Sequence, residues 1–316
     1  MAKKEIVRSI LFEISKVIKG KDDIIEKVLM AILASGHILL EDVPGLGKTT
    51  LAMSFSTVLG LDSKRIQFTP DTMPSDIIGT SFYDERTKEF SFLPGAVMTN
   101  LLLGDEINRT SAKTQSALLE AMQEEKVTVD GVRYPLPDPF IVMATQNPIT
   151  SSGTQPLPDS QLDRFMVRLS MGYPDAGAEL AMLQNVQGKT QKETPTQLLD
   201  AAEVIRLRQA VNEVIVSEEL LKYLIRLCDA TREHEDIQLG ISPRGLIAFM
   251  QMSRAHAFCQ DRDYCIPEDM QAVFEDCCAH RLFLSGRARR EGRSARQILH
   301  TIIEEQPVPE LLRVHD

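Results

Sequence analysis

The segment Asp42–Thr49, with the sequence DVPGLGKT, constrains the fold of this chain more than any other. It lies between a short apolar run and a helical pattern, and its glycines permit the positive φ angles with which a backbone wraps closely around phosphate oxygens. A helix that begins at Lys48 would direct its free amides and the positive end of its dipole toward the same point. The segment therefore predicts a strand, a phosphate-binding loop and a helix, in that order, within an α/β fold.

A nucleotide bound by this loop would contact the loop itself and the first helical turn. We expect these contacts to come from Val43, Pro44, Gly45, Leu46, Gly47, Lys48, Thr49 and Thr50. Lys48 is predicted to neutralise β- and γ-phosphate oxygens, and the hydroxyl of Thr49 to bind Mg²⁺. The usual motif begins with glycine where this chain has Asp42, and we expect that side chain, at the entrance of the loop, to point away from the phosphates.

A second motif places two acids directly after an apolar run, in Leu101–Glu106 (LLLGDE). Carboxylates at the edge of a core are poorly solvated, so their presence there indicates a function. Asp105 is predicted to hold Mg²⁺ through water, and Glu106 to act as the general base that polarises the attacking water. The alternative is an acidic cap for the helix predicted to begin near Ser111. Because Glu106 supplies a base, the pair indicates hydrolysis as well as binding.

Asn147 follows the strand predicted over Phe140–Thr145. An amide at that strand end would position the water between Glu106 and the γ-phosphate, whereas an amide without the other motifs would be a turn residue. In this company Asn147 is a candidate sensor of the γ-phosphate.

Two arginines complete the set of candidate site residues. Arg164, within the LDRF run at 162–165, is either a surface ion-pair residue or an arginine finger that reaches the nucleotide of a neighbouring subunit. Arg244 lies just inside a helix predicted to begin at Ser242-Pro243. An arginine near a helix N-terminus opposes the dipole, which indicates an anionic partner such as the phosphates.

The first half of the chain alternates short apolar runs with helical patterns, which is typical of a mainly parallel sheet flanked by helices. The predicted strands are His37–Leu40, Lys64–Phe68, Val97–Leu103, Phe140–Thr145 and a strand-like run at Met166–Leu169. Two insertions interrupt this alternation, and both are predicted to be hairpins. Aromatic residues flank a charged centre in Ser81–Phe92, and Asp130-Gly131 favours a type I′ turn within Val127–Tyr134.

After about Tyr173 the strand patterns cease and apolar residues repeat at helical spacing. The sequence thus predicts two domains. Residues 1–173 would form a large α/β nucleotide-binding domain that carries the two hairpins, and residues 174–316 an all-helical domain. The polar tract 187–197 is predicted to be a connection.

Composition narrows the class of protein. A net charge of -10 over 316 residues argues against a general binder of nucleic-acid backbones. No run approaches the roughly 18 apolar residues that span a membrane, and charged residues interrupt any signal-peptide core, so we expect a cytoplasmic protein without membrane insertion. The five cysteines are odd in number and contain no C-x-x-C pair. Core packing explains them better than a disulfide framework or a metal site shared with His256 and His280.

The run LLLGDEINRTSAKTQSALLEAMQEEKVTVDG, together with MATQNP and LPDSQLDRF, resembles the MoxR family of the AAA+ ATPases. The similarity extends from about Val17 to Pro309. The resemblance implies a P-loop domain with a C-terminal helical lid, ATP hydrolysis with Mg²⁺, and a homo-hexameric ring. It also implies Walker A, Walker B, sensor 1, arginine-finger and sensor 2 roles for Lys48 and Thr49, Asp105 and Glu106, Asn147, Arg164 and Arg244.

The same resemblance implies that the two hairpins are the helix-2 insert and the pre-sensor 1 hairpin. Members of the family act as chaperone-like ATPases. They often serve partners that carry a von Willebrand factor A domain, in metal insertion or in the maturation of complexes.

Two stretches depart from the family pattern. Gly20-Lys21 stands where relatives usually have Gly-Gln, which bears on the adenine pocket. Five arginines occupy positions where many relatives are more acidic, at 287, 289, 290, 293 and 296. This segment would bind nucleic acid or an acidic partner, or it forms a solvated helix face or a subunit contact, which is the simpler explanation in an acidic protein.

From these motifs we expect ATP to bind between subunits, held by one P-loop and the Arg164 of the neighbouring subunit. Hydrolysis would release that arginine and let the helical domain rotate about Tyr173–Asp175. A nucleic-acid-remodelling motor is an alternative, but its hairpin tips would be basic, and Asp130 occupies one tip here. A non-catalytic, nucleotide-gated scaffold is a second alternative, which the complete acid pair disfavours. The sequence contains no N-K-x-D motif, which argues against a GTPase.

Overall fold

A computed structural model describes residues 3–43, 45–86, 88–147, 157–174, 176–186 and 193–309 of the chain. Within these residues, a five-stranded sheet lies between helical layers, and a mainly helical region follows it. This architecture confirms the predicted α/β fold with a C-terminal helical lid.

The described residues contain eleven strands. They are β1 Ile38–Glu41, β2 Ser63–Gln67, β3 Gly79–Asp84, β4 Glu89–Pro94, β5 Leu101–Asp105, β6 Lys126–Val129, β7 Val132–Pro135, β8 Ile141–Gln146, β9 Val167–Leu169, β10 Ile237–Leu239 and β11 Phe283–Leu284. The central sheet has the order β2-β5-β8-β1-β9, and all its neighbouring strands are parallel.

The same part of the chain contains thirteen α-helices. They are α1 Lys3–Ser15, α2 Asp22–Leu33, α3 Lys48–Val58, α4 Pro74–Ile78, α5 Ala112–Glu124, α6 Asp159–Leu162, α7 Ala176–Val186, α8 Ala201–Asn212, α9 Glu218–Glu233, α10 Pro243–Cys259, α11 Pro267–Cys278, α12 Gly286–Arg290 and α13 Ala295–Glu305. The helix starts predicted at Lys48 and at Ser242-Pro243 are confirmed, since α3 and α10 begin there.

One predicted strand is shorter than expected. The run from Val97 was predicted to be extended, but β5 begins at Leu101. The amide of Val97 donates to the carbonyl of Ile77, and the hydroxyl of Thr99 donates to the carbonyl of Asp62. These bonds curl the chain before it enters the sheet.

Side chains of the central strands alternate between two cores, as the pleat of a strand requires. In β5, Leu101 and Leu103 pack into a core that also contains residues of α1, α2, α3 and the lid helices. Leu102 packs on the opposite face with residues of α5. The first of these cores is continuous from α1 to α13, so the sheet and the lid share one apolar interior.

Both insertions are hairpins, as predicted. β3 pairs with β4 and β6 with β7, each antiparallel. Asp130 and Gly131 have φ angles of 48° and 80°, the two positive values that a type I′ turn needs. Phe92 of the first hairpin stacks on Tyr134 of the second, with ring centroids 3.9 Å apart. The stacked rings connect the two hairpins directly.

The lid contains one feature that the helical pattern did not indicate. β10 pairs with β11 in a short antiparallel ribbon. Strands of three and two residues are too short to leave a period-two pattern in the sequence. Of the tract predicted to connect the domains, residues 187–192 lie outside the described residues, and 193–197 belong to neither a helix nor a strand.

All five cysteines are buried free thiols, as core packing predicted. Burial raises the pKa of Cys228, Cys265 and Cys277 to about 12. Such thiols are unreactive, because the nucleophile is the thiolate. The described residues contain no group of three or more His, Cys, Asp or Glu side chains arranged to hold a metal ion.

In the part of the chain that the structure describes, no helix combines the length and the apolar character needed to cross a bilayer.

His37, which directly precedes β1, forms hydrogen bonds to both β8 and α5. Its Nδ1 accepts the amide of Val142 in β8 at 3.0 Å, so its Nε2–H donates to the carbonyl of Met122 in α5 at 3.1 Å. Burial, with the positive charge of Arg208, lowers the pKa of His37 to about 4. The native fold therefore holds this imidazole neutral.

The burial of His37 predicts acid-sensitive stability. Between pH 6.5 and 4, His37 is protonated in the unfolded chain but neutral in the native fold. The free energy of unfolding therefore falls as the pH is lowered, by up to about 3 kcal/mol for this residue. Urea unfolding at pH 7, 6 and 5 measures the effect. The curve for His37→Gln is expected to be flatter than that of the wild type. The control His300→Gln, at a side chain 74% exposed, is expected to follow the wild type. Parallel curves for all three proteins would contradict the assignment.

Candidate nucleotide-binding site

Three strand ends meet at the carboxyl edge of the sheet. β8 lies between β1 and β5, so Asn147 after β8 lies between the loop after β1 and the acids at the end of β5. Together they surround a cavity of about 360 Å³. Its lining residues are Asp42, Gly45, Gly47, Lys48, Thr49, Thr50, Arg65, Gln67, Asp105, Glu106 and Asn147.

Most of the predicted loop contacts face this cavity. Val43 and Leu46 belong to the same loop but do not line the cavity, and Pro44 lies outside the described residues. Asp105, Glu106 and Asn147 all contribute to its wall. The loop at 42–49, the acids at 105 and 106 and Asn147 lie far apart in the sequence and are thus brought to one place.

The loop after β1 has the backbone of an anion cradle. Gly45 and Gly47 adopt φ angles of 89° and 86°, which side chains other than glycine rarely tolerate. Lys48 begins α3, and its Nζ donates across the loop to the carbonyl of Asp42 at 2.7 Å. Burial lowers the pKa of Lys48, while the carboxylates of Asp42, Asp105 and Glu106 oppose that effect. A loop of this shape at a helix N-terminus binds phosphate well.

The carboxylate of Asp42 engages the segment that follows β9. It accepts the hydroxyl of Ser170 at 2.7 Å and the amides of Met171 and Gly172 at 2.6 and 3.2 Å. Asp42 is buried, so these charge-assisted bonds replace the water that the carboxylate loses. The residue that replaces the usual first glycine therefore ties the entrance of the loop to the chain leading into the lid.

Thr145 organises the two acids. Its hydroxyl donates to Oδ1 of Asp105 at 2.6 Å and accepts the backbone amide of Glu106 at 2.9 Å. Glu106 has φ 57° and ψ 52°, a left-handed conformation that costs a non-glycine residue about 1–2 kcal/mol. The bond from its amide to Thr145 holds this strained conformation. Backbone strain of this kind is concentrated at functional sites.

Each acid is also paired with an arginine that the motifs did not indicate. Arg65 donates to Oδ2 of Asp105 at 2.8 Å, and Arg109 donates to Oε2 of Glu106 at 2.8 Å. Gln67 donates to the same oxygen of Glu106 at 3.3 Å. Arg65 and Gln67 alternate on β2 beside β5, so they share one face of the sheet edge. Polar residues at alternate positions of a predicted strand were the signal that would have found them.

The donor set suits a magnesium ion. Asp105 offers a carboxylate, and Thr49, whose side chain carries a hydroxyl, lines the same cavity. Mg²⁺ takes oxygen ligands of this kind and usually keeps several waters. Asp105 already has a cationic partner in Arg65, which shows that its carboxylate attracts positive charge in this fold.

Arg164 and Arg244 lie together in a different pocket. It has a volume of about 70 Å³ and is lined by His37, Met122, Gln123, Arg164 and Arg244. Neither arginine is part of the wall of the larger cavity. Burial, and next the positive charge of Arg244, lowers the pKa of Arg164. Nε of Arg164 is buried and makes no hydrogen bond to the described residues. Two like charges held this closely favour an anion as their ligand.

Comparison with known families supports the reading of the two regions. Residues 37–167 match the ATPase family associated with various cellular activities (AAA), and residues 229–302 match the AAA lid domain. The first match contains the loop, the acids, Asn147 and Arg164. The second contains Arg244.

Several proteins are similar over nearly the whole chain. The chain is 47% identical to protein YeaC of Bacillus subtilis over 94% of its own length and 92% of that protein. It is 38% identical to Chaperone MoxR1 of Mycobacterium tuberculosis over 95% of its length and 82% of that protein. A crystal structure from Cytophaga hutchinsonii, of a protein assigned as an ATPase, is 40% identical, with a TM-score of 0.91 and coverage of 98% and 96%.

The bonds of Asp42 predict that restoring the usual glycine is harmful. Asp42→Gly would leave the buried amide of Met171, the half-buried amide of Gly172 and the hydroxyl of Ser170 without their acceptor, so the free energy of unfolding should fall by about 2–4 kcal/mol. Urea unfolding without nucleotide measures this loss. Asp71→Gly, at an exposed turn, is the matched control and should stay near the wild type. An Asp42→Gly protein as stable as the wild type would contradict the anchoring role.

Proposed function

The chain belongs to the MoxR family of AAA+ ATPases, and we propose that it uses ATP hydrolysis to remodel or mature a partner protein in a chaperone-like manner. The name of Chaperone MoxR1, which is 38% identical, supports this role. The proposal includes a homo-hexameric ring and a partner that carries a von Willebrand factor A domain, with metal insertion as one form of the reaction. These finer points rest on the family resemblance. A cytoplasmic location belongs to the same proposal, because the reaction consumes ATP.

The observation that carries the ring proposal is the separation of the arginines from the P-loop cavity. Arg164 and Arg244 line a pocket of their own. Lys48 and Arg65 line the P-loop cavity, but Arg164 and Arg244 do not. We propose that the arginine pair of the adjacent subunit adds the further positive charge that stabilises the γ-phosphate in the transition state. An arginine supplied in this way is worth roughly 10³–10⁵ in rate, or about 4–7 kcal/mol.

Residues of one chain would carry out the remaining steps. The amides around Gly45 and Gly47 bind the phosphates, and Lys48 turns from the carbonyl of Asp42 toward the β- and γ-oxygens. Glu106 takes a proton from the attacking water, and Asn147 orients that water. Thr49 and Asp105 are the residues that would hold Mg²⁺, whose charge stabilises the phosphate oxygens when it is bound.

Both acids have cationic partners before a nucleotide binds. Asp105 is bonded to Arg65, and Glu106 to Arg109 and Gln67, so the positive charge of these arginines is already directed at the acids. Binding of the nucleotide with its metal would compete for these partners. We propose that the exchange links nucleotide binding to activation of Glu106.

Movement of the lid would pass the energy to the client. In the proposal the helical domain, residues 174–316, rotates against residues 1–173 about Tyr173–Asp175, of which Asp175 lies outside the described residues. The stacking of Phe92 on Tyr134 supports a movement in which both hairpins act as one unit. Exposed aromatic rings on the first hairpin, Tyr83 and Phe90, suit contact with a protein client.

A nucleic-acid motor is less well supported. The tip of the second hairpin is Asp130-Gly131, and Asp84 and Glu85 accompany the basic residues of the first. The arginine-rich segment is largely neutralised within the chain. Its ion pairs are Arg287 with Glu235 and Glu291, Arg293 with Asp236 and Glu291, and Arg296 with Glu275. ATPase activity stimulated by DNA at moderate salt would favour the motor instead. A non-catalytic scaffold is disfavoured by the strained, organised acid pair.

Substitutions separate the proposed roles. Lys48→Ala should lose affinity for ATP. Glu106→Gln should bind ATP and stall, because the base is gone. Arg164→Ala should bind ATP with wild-type affinity. Its rate of hydrolysis should be lower by at least about 10³-fold, even in the assembled ring. Binding of a fluorescent ATP analogue and phosphate release measure these effects. Arg290→Ala, at an exposed arginine, is the control and should keep the wild-type rate. Wild-type turnover by Arg164→Ala would exclude the shared site.

The client role has its own test. Glu106→Gln should retain its partner in the presence of ATP, since a stalled ring does not release a client, and Lys48→Ala should not. Co-purification from native cells compares the two variants. Recovery of a von Willebrand factor A protein with Glu106→Gln alone is the expected result. Equal recovery with both variants would contradict nucleotide-gated binding.

A further inference from the structure

Arg281 is a buried arginine of the lid whose bonds nearly all cross to the segment that carries Arg164. Its side chain is 2% exposed, and its Nε donates to Oδ1 of Asp163 at 2.8 Å. Its two terminal nitrogens donate to the carbonyls of Asp163, Phe165 and Met166 at 3.2, 2.7 and 3.1 Å. A further bond joins it to the carbonyl of Cys277. The lid thus binds the backbone on both sides of Arg164.

The second oxygen of Asp163 reaches the helix that carries Arg244. The hydroxyl of Ser242 donates to Oδ2 of Asp163 at 2.9 Å. The same hydroxyl oxygen accepts the amide of Gly245 and caps α10, with Arg244 in its first turn. The carboxylate of Asp163 therefore contacts both Arg281, which binds the backbone around Arg164, and Ser242, which caps the helix that carries Arg244.

Close packing reinforces this connection. A Cβ at Gly245 would lie 2.8 Å from Cδ of Arg281, so the stem of Arg281 crosses α10 where only glycine leaves room. His280 adds a bond at 3.0 Å between its Nε2 and the carbonyl of Phe165. Burial, with the charge of Arg281, lowers the pKa of His280 well below its usual value, so the ring is neutral and its Nε2–H donates to that carbonyl.

We propose that Asp163, Arg281 and Ser242 form a clamp that holds Arg164 and Arg244 as one rigid pair, and that they are positioning residues for hydrolysis in the neighbouring subunit. With this clamp, the orientation of the lid in one subunit would determine whether Arg164 and Arg244 of that subunit reach the γ-phosphate bound by its neighbour. This inference rests on the shared site proposed above.

Stability alone does not account for the arrangement. Arg262 and Asp269 form another buried ion pair of the lid, at 0% exposure for the acid, and their bonds stay within the lid. Arg281 instead donates hydrogen bonds to the segment 163–166, which includes the proposed arginine finger, Arg164. A buried ion pair is weak evidence for stability, because the cost of desolvation offsets much of the attraction between the charges. Geometry is what a paired arginine site requires.

The clamp is tested by comparing Asp163→Asn with Asp269→Asn, which removes the charge of the control pair that lies within the lid. For Asp163→Asn we expect kcat to fall at least about tenfold with KM within about twofold of the wild type, since a displaced group loses rate and not ground-state binding. Asp269→Asn should lower the melting temperature but keep kcat. The double variant Asp163→Asn/Arg164→Ala should be no slower than Arg164→Ala. Additive losses in the double variant would overturn the clamp.

Mixed rings distinguish the clamp from the shared site. Subunits with Glu106→Gln have intact arginines, so they should restore hydrolysis at the P-loops of Arg164→Ala subunits. Asp163→Asn subunits should be restored to the same extent. If Arg164→Ala is not restored, the shared site fails and the clamp with it. If Arg164→Ala is restored and assembled Asp163→Asn is not, the clamp alone is overturned.

A second variant covers the case in which Asp163→Asn does not fold. Gly245→Ala leaves every charge in place but brings a Cβ to 2.8 Å from both Cδ of Arg281 and Cγ2 of Ile241, so the packing between α10 and Arg281 must shift. It should lower kcat at least about tenfold with KM nearly unchanged, and mixing with Glu106→Gln should restore it. Gly286→Ala is the matched control, because a Cβ there meets its nearest neighbour, Nη1 of Arg290, at an ordinary 3.6 Å. Wild-type kcat for Gly245→Ala would overturn the proposal.

Discussion

The position of β8 between β1 and β5 is the constraint on which the site depends. Parallel pairing sets Thr145 opposite Leu40 and Ala144 opposite Gly104, so the loop after β1 and the acids at the end of β5 flank the end of β8. From that place one hydroxyl, on Thr145, bonds both the carboxylate of Asp105 and the amide of Glu106. The strained backbone of Glu106 is tolerated because its partner is held by buried strands on either side. A shift of β8 by one residue would turn Thr145 to the other face of the sheet, and both acids would lose the bond to its hydroxyl.

The P-loop cavity contains Arg65 but neither Arg164 nor Arg244. Arg164 and Arg244 face one small pocket, where burial and the charge of Arg244 lower the pKa of Arg164 against the opposing effect of Glu120. Two like charges so placed favour an anionic ligand. The residues that hold these two arginines in place come from both regions: Asp163 from the end of the sheet domain, and Ser242 and Arg281 from the lid. In our proposal, hydrolysis at the P-loop of one subunit therefore depends on the orientation of the lid in the neighbouring subunit. This is a physical basis for coupling between subunits that needs no long pathway through the core.

Much of the fold and part of the site follow from local patterns. The glycines of the P-loop, the acids after an apolar run and the Asp130-Gly131 turn each signal their role within a few residues. The partners of those residues do not. Arg65 meets Asp105 across 40 positions, and Ser170 meets Asp42 across 128. Arg281 meets Asp163 across 118 positions. Only strand order and lid packing bring such pairs together. A local pattern such as the polar alternation on β2 marks Arg65 but does not identify its partner.

The most direct test of the account is the structure of the Glu106→Gln ring with ATP and Mg²⁺. The account predicts a triphosphate enclosed by the loop of one chain, with Arg164 and Arg244 of the adjacent chain both at hydrogen-bond distance from the γ-phosphate. Arginines that stay in their own pocket, away from any nucleotide, would contradict it. So would a γ-phosphate contacted by both arginines of the chain whose P-loop holds it.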